Sequence, residues 1–268
     1  MRVIVAMGLL AAVLPLTAPA TSPTKQAIRT MIADTRTNAG LDNISTFRKL
    51  HMFEVPGERV VAVASAGNLA AAQAVVQLVS EGFEDEAGIH TLYTVPSMFA
   101  AAQLVGRAVQ HVFKNDGPSM EAMNARFDVM LLVGGQIGNG RLRLFQIYSA
   151  GNFIKSSSDT PYLQIGEHKY GKPILDRAVR FDTDLYDALK LGLISMDSTM
   201  RSNLGVGMPI DMMVCRRDAL KSEIVQRIDH TEPYFQNLRE SWSNALSQAH
   251  RAIPRPPYTG NGEASNQD

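Results

Sequence analysis

The period of the apolar residues changes in blocks along this chain, and the order of the blocks constrains the fold more than any single motif. Val60-Val61-Ala62-Val63-Ala64 is a short, partly β-branched run that predicts a buried strand. It stops at Ser65-Ala66-Gly67-Asn68. Leu69, Ala72, Val75, Val76 and Val79 then fall on one helical face, with Gly82 as a stop. A second helix is predicted over 97–113, where Met98, Ala101, Val105, Ala108 and Val112 step by three and four. Two strands follow, 127–133 and 141–148, joined by GGQIGNG with Asn139-Gly140 as the hairpin turn. Asp182 is read as the cap of a helix carrying Leu185, Leu189 and Met196. A strand at 210–215 comes next. Thr231 and Pro233 then start a last helix with Tyr234, Leu238, Trp242 and Leu246 on one face. Strands that group rather than alternate singly with helices disfavour a doubly wound parallel sheet. Paired helices between groups of antiparallel strands predict an α+β chain with sheets stacked between helical layers.

Composition excludes several classes. In 268 residues, 45% hydrophobic and 19% charged, there is too much apolar surface for a disordered chain. Twenty-six basic residues balance 26 acidic ones, so no global field draws the chain to nucleic acid or an anionic membrane. Six histidines lie scattered without metal-ligand spacing, and one cysteine, Cys215, builds neither an internal disulfide nor a thiolate cluster. No metal and no cofactor is expected. GGQIGNG is not a phosphate loop, because no Lys-Ser/Thr follows it and the next element is a strand.

The ends differ from the body. After Arg2, residues 3–16 are apolar, and Ala18-Pro19-Ala20 follows in the form of a signal-cleavage site before Thr21. Fourteen such residues are fewer than the about 20 that a spanning helix needs. The chain therefore divides into an atypical, signal-like or misread segment at 1–30, a folded body at 31–253 and a disordered tail of Pro, Gly and polar residues at 254–268.

One constellation stands apart. Asp34-Thr35-Arg36-Thr37-Asn38-Ala39-Gly40 precedes Ser45-Thr46-Phe47-Arg48-Lys49. Asp34 and Lys49 are too far apart to share a helix face, but a hairpin turning near residues 38–43 brings them side by side. Spacing alone predicts a surface ion pair across two strands, worth about 0–1 kcal/mol.

ADTRTNAGLDNISTFRKLHMFEVPGERVVAVASAGNLAAAQAV resembles the bacterial proteasome-related family called Anbu, the ancestral β-subunit type. VGGQIGNGRLRLFQIYSAGNFI, TPYLQIGEHKYGKPILDR and MDSTMRSNLGVGMPIDMMV continue the resemblance, which runs from residue 31 to about 250. The family is similar to proteasome β-subunits and HslV, N-terminal-nucleophile hydrolases with a four-layer αββα sandwich. The resemblance implies a threonine peptidase or amide hydrolase that assembles with itself into a ring or open ring. It also implies a peptide or amide substrate. No ATPase motif is present, so energy-driven unfolding would fall to a separate ATPase chain.

The family's site residues carry over by motif. Asp34 is the aspartate that holds a lysine, Lys49, whose charge lowers the pKa of the nucleophile's amine. Arg36 matches an arginine beside the site, Gly67 the oxyanion-hole amide, and Asp197 with Ser202 the residues supporting the amine. Family chains begin Met-Thr, whereas this one begins Met1-Arg2, so the nucleophile is unidentified. Three readings stay open. The first is an active cytoplasmic peptidase with a misread start. The second is a catalytically silent assembly subunit. The third is an exported variant whose new N-terminus is Thr21.

Overall fold

The computed structural model describes residues 28–38, 44–85 and 88–258, so the readings of Thr21, of residues 1–27 and of 259–268 lie outside the described residues. In chain order the elements are β1 (Ile28–Asp34), β2 (Arg36–Asn38), β3 (Ile44–Thr46), β4 (Leu50–Val55), β5 (Arg59–Gly67) and α1 (Leu69–Glu81). A small hairpin, β6 (Phe83–Asp85) and β7 (Gly88–His90), leads to α2 (Met98–Ala122). Then come β8 (Val129–Ile137), β9 (Arg143–Ile147), β10 (Phe153–Lys155), α3 (Lys172–Ala178) and α4 (Leu185–Ser202). The chain closes with β11 (Ile210–Arg216), β12 (Ile224–Ile228) and α5 (Pro233–Ala252).

Two antiparallel sheets carry the structure. One has the order β10-β9-β8-β5-β4, the other β1-β11-β12. The VVAVA run is apolar throughout because β5 is covered on both faces. Successive side chains of a strand point to opposite sides. Val61 and Val63 accordingly join a core with α1 and α2, while Val60, Ala62 and Ala64 join another with Met31 and Ala33 of β1 and Met213 and Cys215 of β11. A third core packs Ile32, Ile210 and Val214 against Leu193 and Met196 of α4 and Phe235 of α5. Five helices and antiparallel sheets make this an α+β fold among the described residues. No helix among them is long and apolar enough to cross a membrane.

Side-chain chemistry sets the helix starts. Asn68 and Ser97 accept the N–H groups of Ala71 and Ala100, both at 3.1 Å. The expected cap Asp182 is displaced by Asp184, because a helix beginning at Leu185 is reached only from the preceding residue. The Asp184 carboxylate accepts Tyr186 N–H at 2.7 Å and Asp187 N–H at 3.1 Å. Helix α2 runs well past residue 113 as a solvated extension beyond its apolar face. In GGQIGNG, both leading glycines are strand residues. Gly135 has φ +151°, and a Cβ there would lie 1.9 Å from Val60 O, so β5 and β8 come this close only at glycine. The turn sits one residue earlier than expected, with Gly138 at φ +50° and Gly140 N–H donating to Ile137 O.

The buried face of α5 is also rotated from expectation. Phe235 is fully buried and Leu238 nearly so, with Trp242 packed beside them, whereas Tyr234 and Leu246 are about half exposed. Spacing of three and four from Phe235 fixes this stripe. Replacing Phe235 by Ala should therefore cost about 3–5 kcal/mol of unfolding free energy, and Tyr234→Ala about 0.5 kcal/mol or less. Chemical denaturation of the two variants checks the ranking, and equal losses would contradict it.

Candidate active site

Asp34 ends β1, opposite Ile210 of β11. Thr35 then turns the chain out of the sheet. Its hydroxyl donates to Pro209 O at 2.7 Å, and its carbonyl accepts Phe47 N–H at 2.8 Å. β2 and β3 pair antiparallel, Arg36 opposite Thr46, and this hairpin returns the chain to Asp34 with Lys49. The Lys49 carbonyl accepts Ser65 N–H at 3.0 Å, which ties the lysine to β5.

Lys49 Nζ donates to Asp34 Oδ1 at 2.9 Å and also to the Arg36 carbonyl. The surface-pair expectation fails on burial: the Asp34 side chain is 0% exposed and that of Lys49 11%. The difference changes the energetics. Removing one partner of a buried pair costs about 3–5 kcal/mol, because the other charge is left without compensation. The second Asp34 oxygen accepts two backbone N–H groups, from Arg36 at 3.2 Å and Gly207 at 3.1 Å. Burial pushes the Asp34 carboxyl up to about 6, while Lys49 and the Gly207 and Arg36 N–H groups pull it back.

The Arg36 side chain reaches the stretch that supplies the Gly207 N–H. Its Nη1 donates to Leu204 O at 3.3 Å, and its Nε is buried without a hydrogen-bond partner among the described residues. The guanidinium lies so close to Gly207 that a Cβ there would sit 2.3 Å from its central carbon. Gly207 is the site residue that sequence reasoning missed. Its contribution is a backbone donor and an empty Cβ position, and the only trace is the glycine pair in LGVGMP just before β11.

Gly67 closes β5 at φ +96°, opposite Val129, where a Cβ would lie 2.0 Å from Asp128 O. Two residues earlier, Ser65 is bonded to Lys49, and one residue later Asn68 caps α1. Asp197 and Ser202 are placed differently. Asp197 is fully buried in α4, but its oxygens accept Arg201 Nε at 2.8 Å and Arg239 Nε at 2.6 Å. It thus joins α4 to α5, and these bonds do not run to the Asp34–Lys49 pair. Ser202 is exposed at the end of α4.

β4 and α1 border an open cleft of about 520 Å³, lined among others by Arg48, His51, Gln73, Gln77 and Tyr93 but by neither Asp34 nor Lys49. Burial lowers the His51 pKa below its usual range, which keeps its ring neutral at pH 7. Among the described residues no group of His, Cys, Asp and Glu is arranged to hold a metal ion.

No family model and no curated protein sequence matches the chain. Solved structures do. Anbu from Hyphomicrobium sp. strain MC1 is 47% identical, with 87% of this chain and 97% of that chain covered and a TM-score of 0.77. Anbu (ancestral beta-subunit) from Yersinia bercovieri is 43% identical over 94% of this chain and 96% of its own, also at 0.77. The helical assembly of the Anbu complex from Pseudomonas aeruginosa is 44% identical over 85% and 93%, at 0.79.

The sign of the Asp34 shift gives a test. Its native pKa lies above the unfolded value of 3.8, so the native state holds this proton more tightly. The associated stability is full below about pH 4 and is lost as pH rises through about 6. A carboxyl ¹³C titration should place the Asp34 midpoint near 6, and a midpoint at or below 4 would refute the balance described.

Proposed function

This chain belongs to the Anbu family, and from that premise we propose that it is a subunit of a proteasome-like assembly that hydrolyses peptide or amide bonds with an N-terminal threonine. The observation that carries the reading is the buried Asp34–Lys49 pair, whose ammonium is held by two acceptors. The three cores support the corresponding architecture, a four-layer αββα sandwich of the N-terminal-nucleophile type. One core lies between α1, α2 and the five-stranded sheet, one between the sheets, and one between the three-stranded sheet and α3–α5.

The chemistry follows from charge and position. A threonine hydroxyl attacks the carbonyl carbon and gives its proton to the threonine's own α-amine, whose unperturbed pKa is about 7.7–8.0. The Lys49 ammonium adds like charge, which lowers that pKa toward working pH. Asp34 fixes the ammonium. The Gly67 N–H receives the oxyanion as the tetrahedral adduct forms. Collapse breaks the C–N bond, the protonated amine returns its proton to the leaving group, and water then hydrolyses the acyl ester.

Mass spectrometry of the native N-terminus is the primary test. A leading threonine supports hydrolysis, and Thr21 in that place supports export as well. A chain beginning at Met1 or Arg2 supports a silent assembly subunit. In a hydrolytic chain, Lys49→Ala should abolish turnover of fluorogenic peptide amides with assembly unchanged, and Asp34→Asn should reduce it less completely. Retained turnover in Lys49→Ala would overturn the role given to the ammonium.

Self-assembly is proposed on the α4–α5 side. Two apolar grooves of about 420 and 500 Å³ flank Tyr234, which is 54% exposed, and the structure from Pseudomonas aeruginosa is a helical assembly. Light scattering at micromolar concentration should show particles well above the 29.3 kDa of one chain, and a monomer alone would count against it.

A further inference from the structure

The stretch 203–207 between α4 and β11 carries the Gly207 N–H to Asp34, and Asn203 stands at its root. The Asn203 side-chain amide works in both directions. Its Nδ2 donates to Glu167 Oε2 at 2.9 Å, and its Oδ1 accepts Gly205 N–H at 2.7 Å. Its carbonyl also accepts Val206 N–H at 3.2 Å, which closes the turn. Glu167 is held in its own right, because its Oε1 accepts Lys169 N–H at 3.0 Å. A residue that must donate to a carboxylate and accept from a backbone N–H at once needs an amide, and neither serine nor aspartate does both at this reach.

We propose that Asn203, oriented by Glu167, is a positioning residue for Asp34: it fixes the turn that presents the Gly207 amide to the carboxylate. The inference rests on the reading of Asp34 and Lys49 as the charge pair of the site. Asp34 faces Lys49 from the residue just before β4 and the Arg36 N–H from β2, with the Arg36 guanidinium lying over Gly207. From the 203–207 stretch it meets a backbone donor. Loosening the turn therefore weakens one of the donors that keep the carboxyl ionised.

The test is a carboxyl ¹³C titration of Asp34 in the full chain. Asn203→Ala should raise the midpoint by about one pH unit, a tenfold gain in proton affinity. Glu167→Ala should raise it too, by roughly half as much on a logarithmic scale. That direction is diagnostic, because deleting a nearby negative charge by itself lowers a carboxyl pKa. Glu167→Gln keeps an acceptor for Asn203 Nδ2 and should return the midpoint close to wild type. An unchanged midpoint in Asn203→Ala, or a lowered or unchanged one in Glu167→Ala, would overturn the proposal. If Asn203→Ala does not fold, the Glu167→Ala and Glu167→Gln pair decides alone. Turnover of fluorogenic peptide amides is read on the same samples. A wild-type chain with no turnover and no N-terminal threonine removes the hydrolase reading and leaves the titration result standing.

Discussion

An ionised carboxylate with no contact to water is the constraint around which this molecule is arranged. Asp34 meets it with one ammonium and two backbone N–H groups, and each donor comes from a different part of the chain. Lys49 arrives by the β2–β3 hairpin, the Arg36 amide by the turn at Thr35, and the Gly207 amide by the stretch that enters β11. Each of these donors pulls the carboxyl down against its burial, so losing any of them raises its pKa and loosens its hold on the lysine. The site is therefore less a pair of residues than a meeting of three segments, each fixed by its own backbone pairing.

Much of this was legible before any coordinates. The DTRTN and STFRK segments predicted the hairpin that joins Asp34 to Lys49, and SAGN predicted the strand end and helix start around Gly67. These signals are local: turn residues, caps and side-chain periods act over a few positions. The β1–β11 pairing was not read because it joins residues 28–34 to residues 210–216, and nothing in either segment names its partner. Burial of the pair was hidden for the same reason, since the stretch that brings the Gly207 N–H to it lies 173 positions away in sequence. Gly207 acts through an N–H and a missing Cβ, properties that a search for reactive side chains passes over. Asp197 misled in the opposite way. It has the right chemistry, but its partners are arginines on α4 and α5, and helix-to-helix bonding leaves no mark in spacing.

Relatives at 43–47% identity fix the kind of molecule, a proteasome-like subunit. The coordinates show which side chains meet and how deeply they lie. They place Asp34, Arg36 and Lys49 together, put Gly67 one strand away, and assign Asp197 to packing between helices.

The pairing of β1 with β11 also bears on the order in which the molecule comes to be. The bond from Gly207 to Asp34 spans 173 positions in sequence. Contacts of such separation form late, because the intervening chain must give up its freedom before they return any stabilisation. During synthesis Lys49 emerges 15 residues after Asp34 and can meet it through their local hairpin, yet the amide that completes the carboxylate's coordination emerges only 173 residues after Asp34. A truncated or half-folded chain therefore has its charge pair without its full set of donors. Completion of the donor set around Asp34 is in this way coupled to the docking of the distant β11 segment, by topology alone.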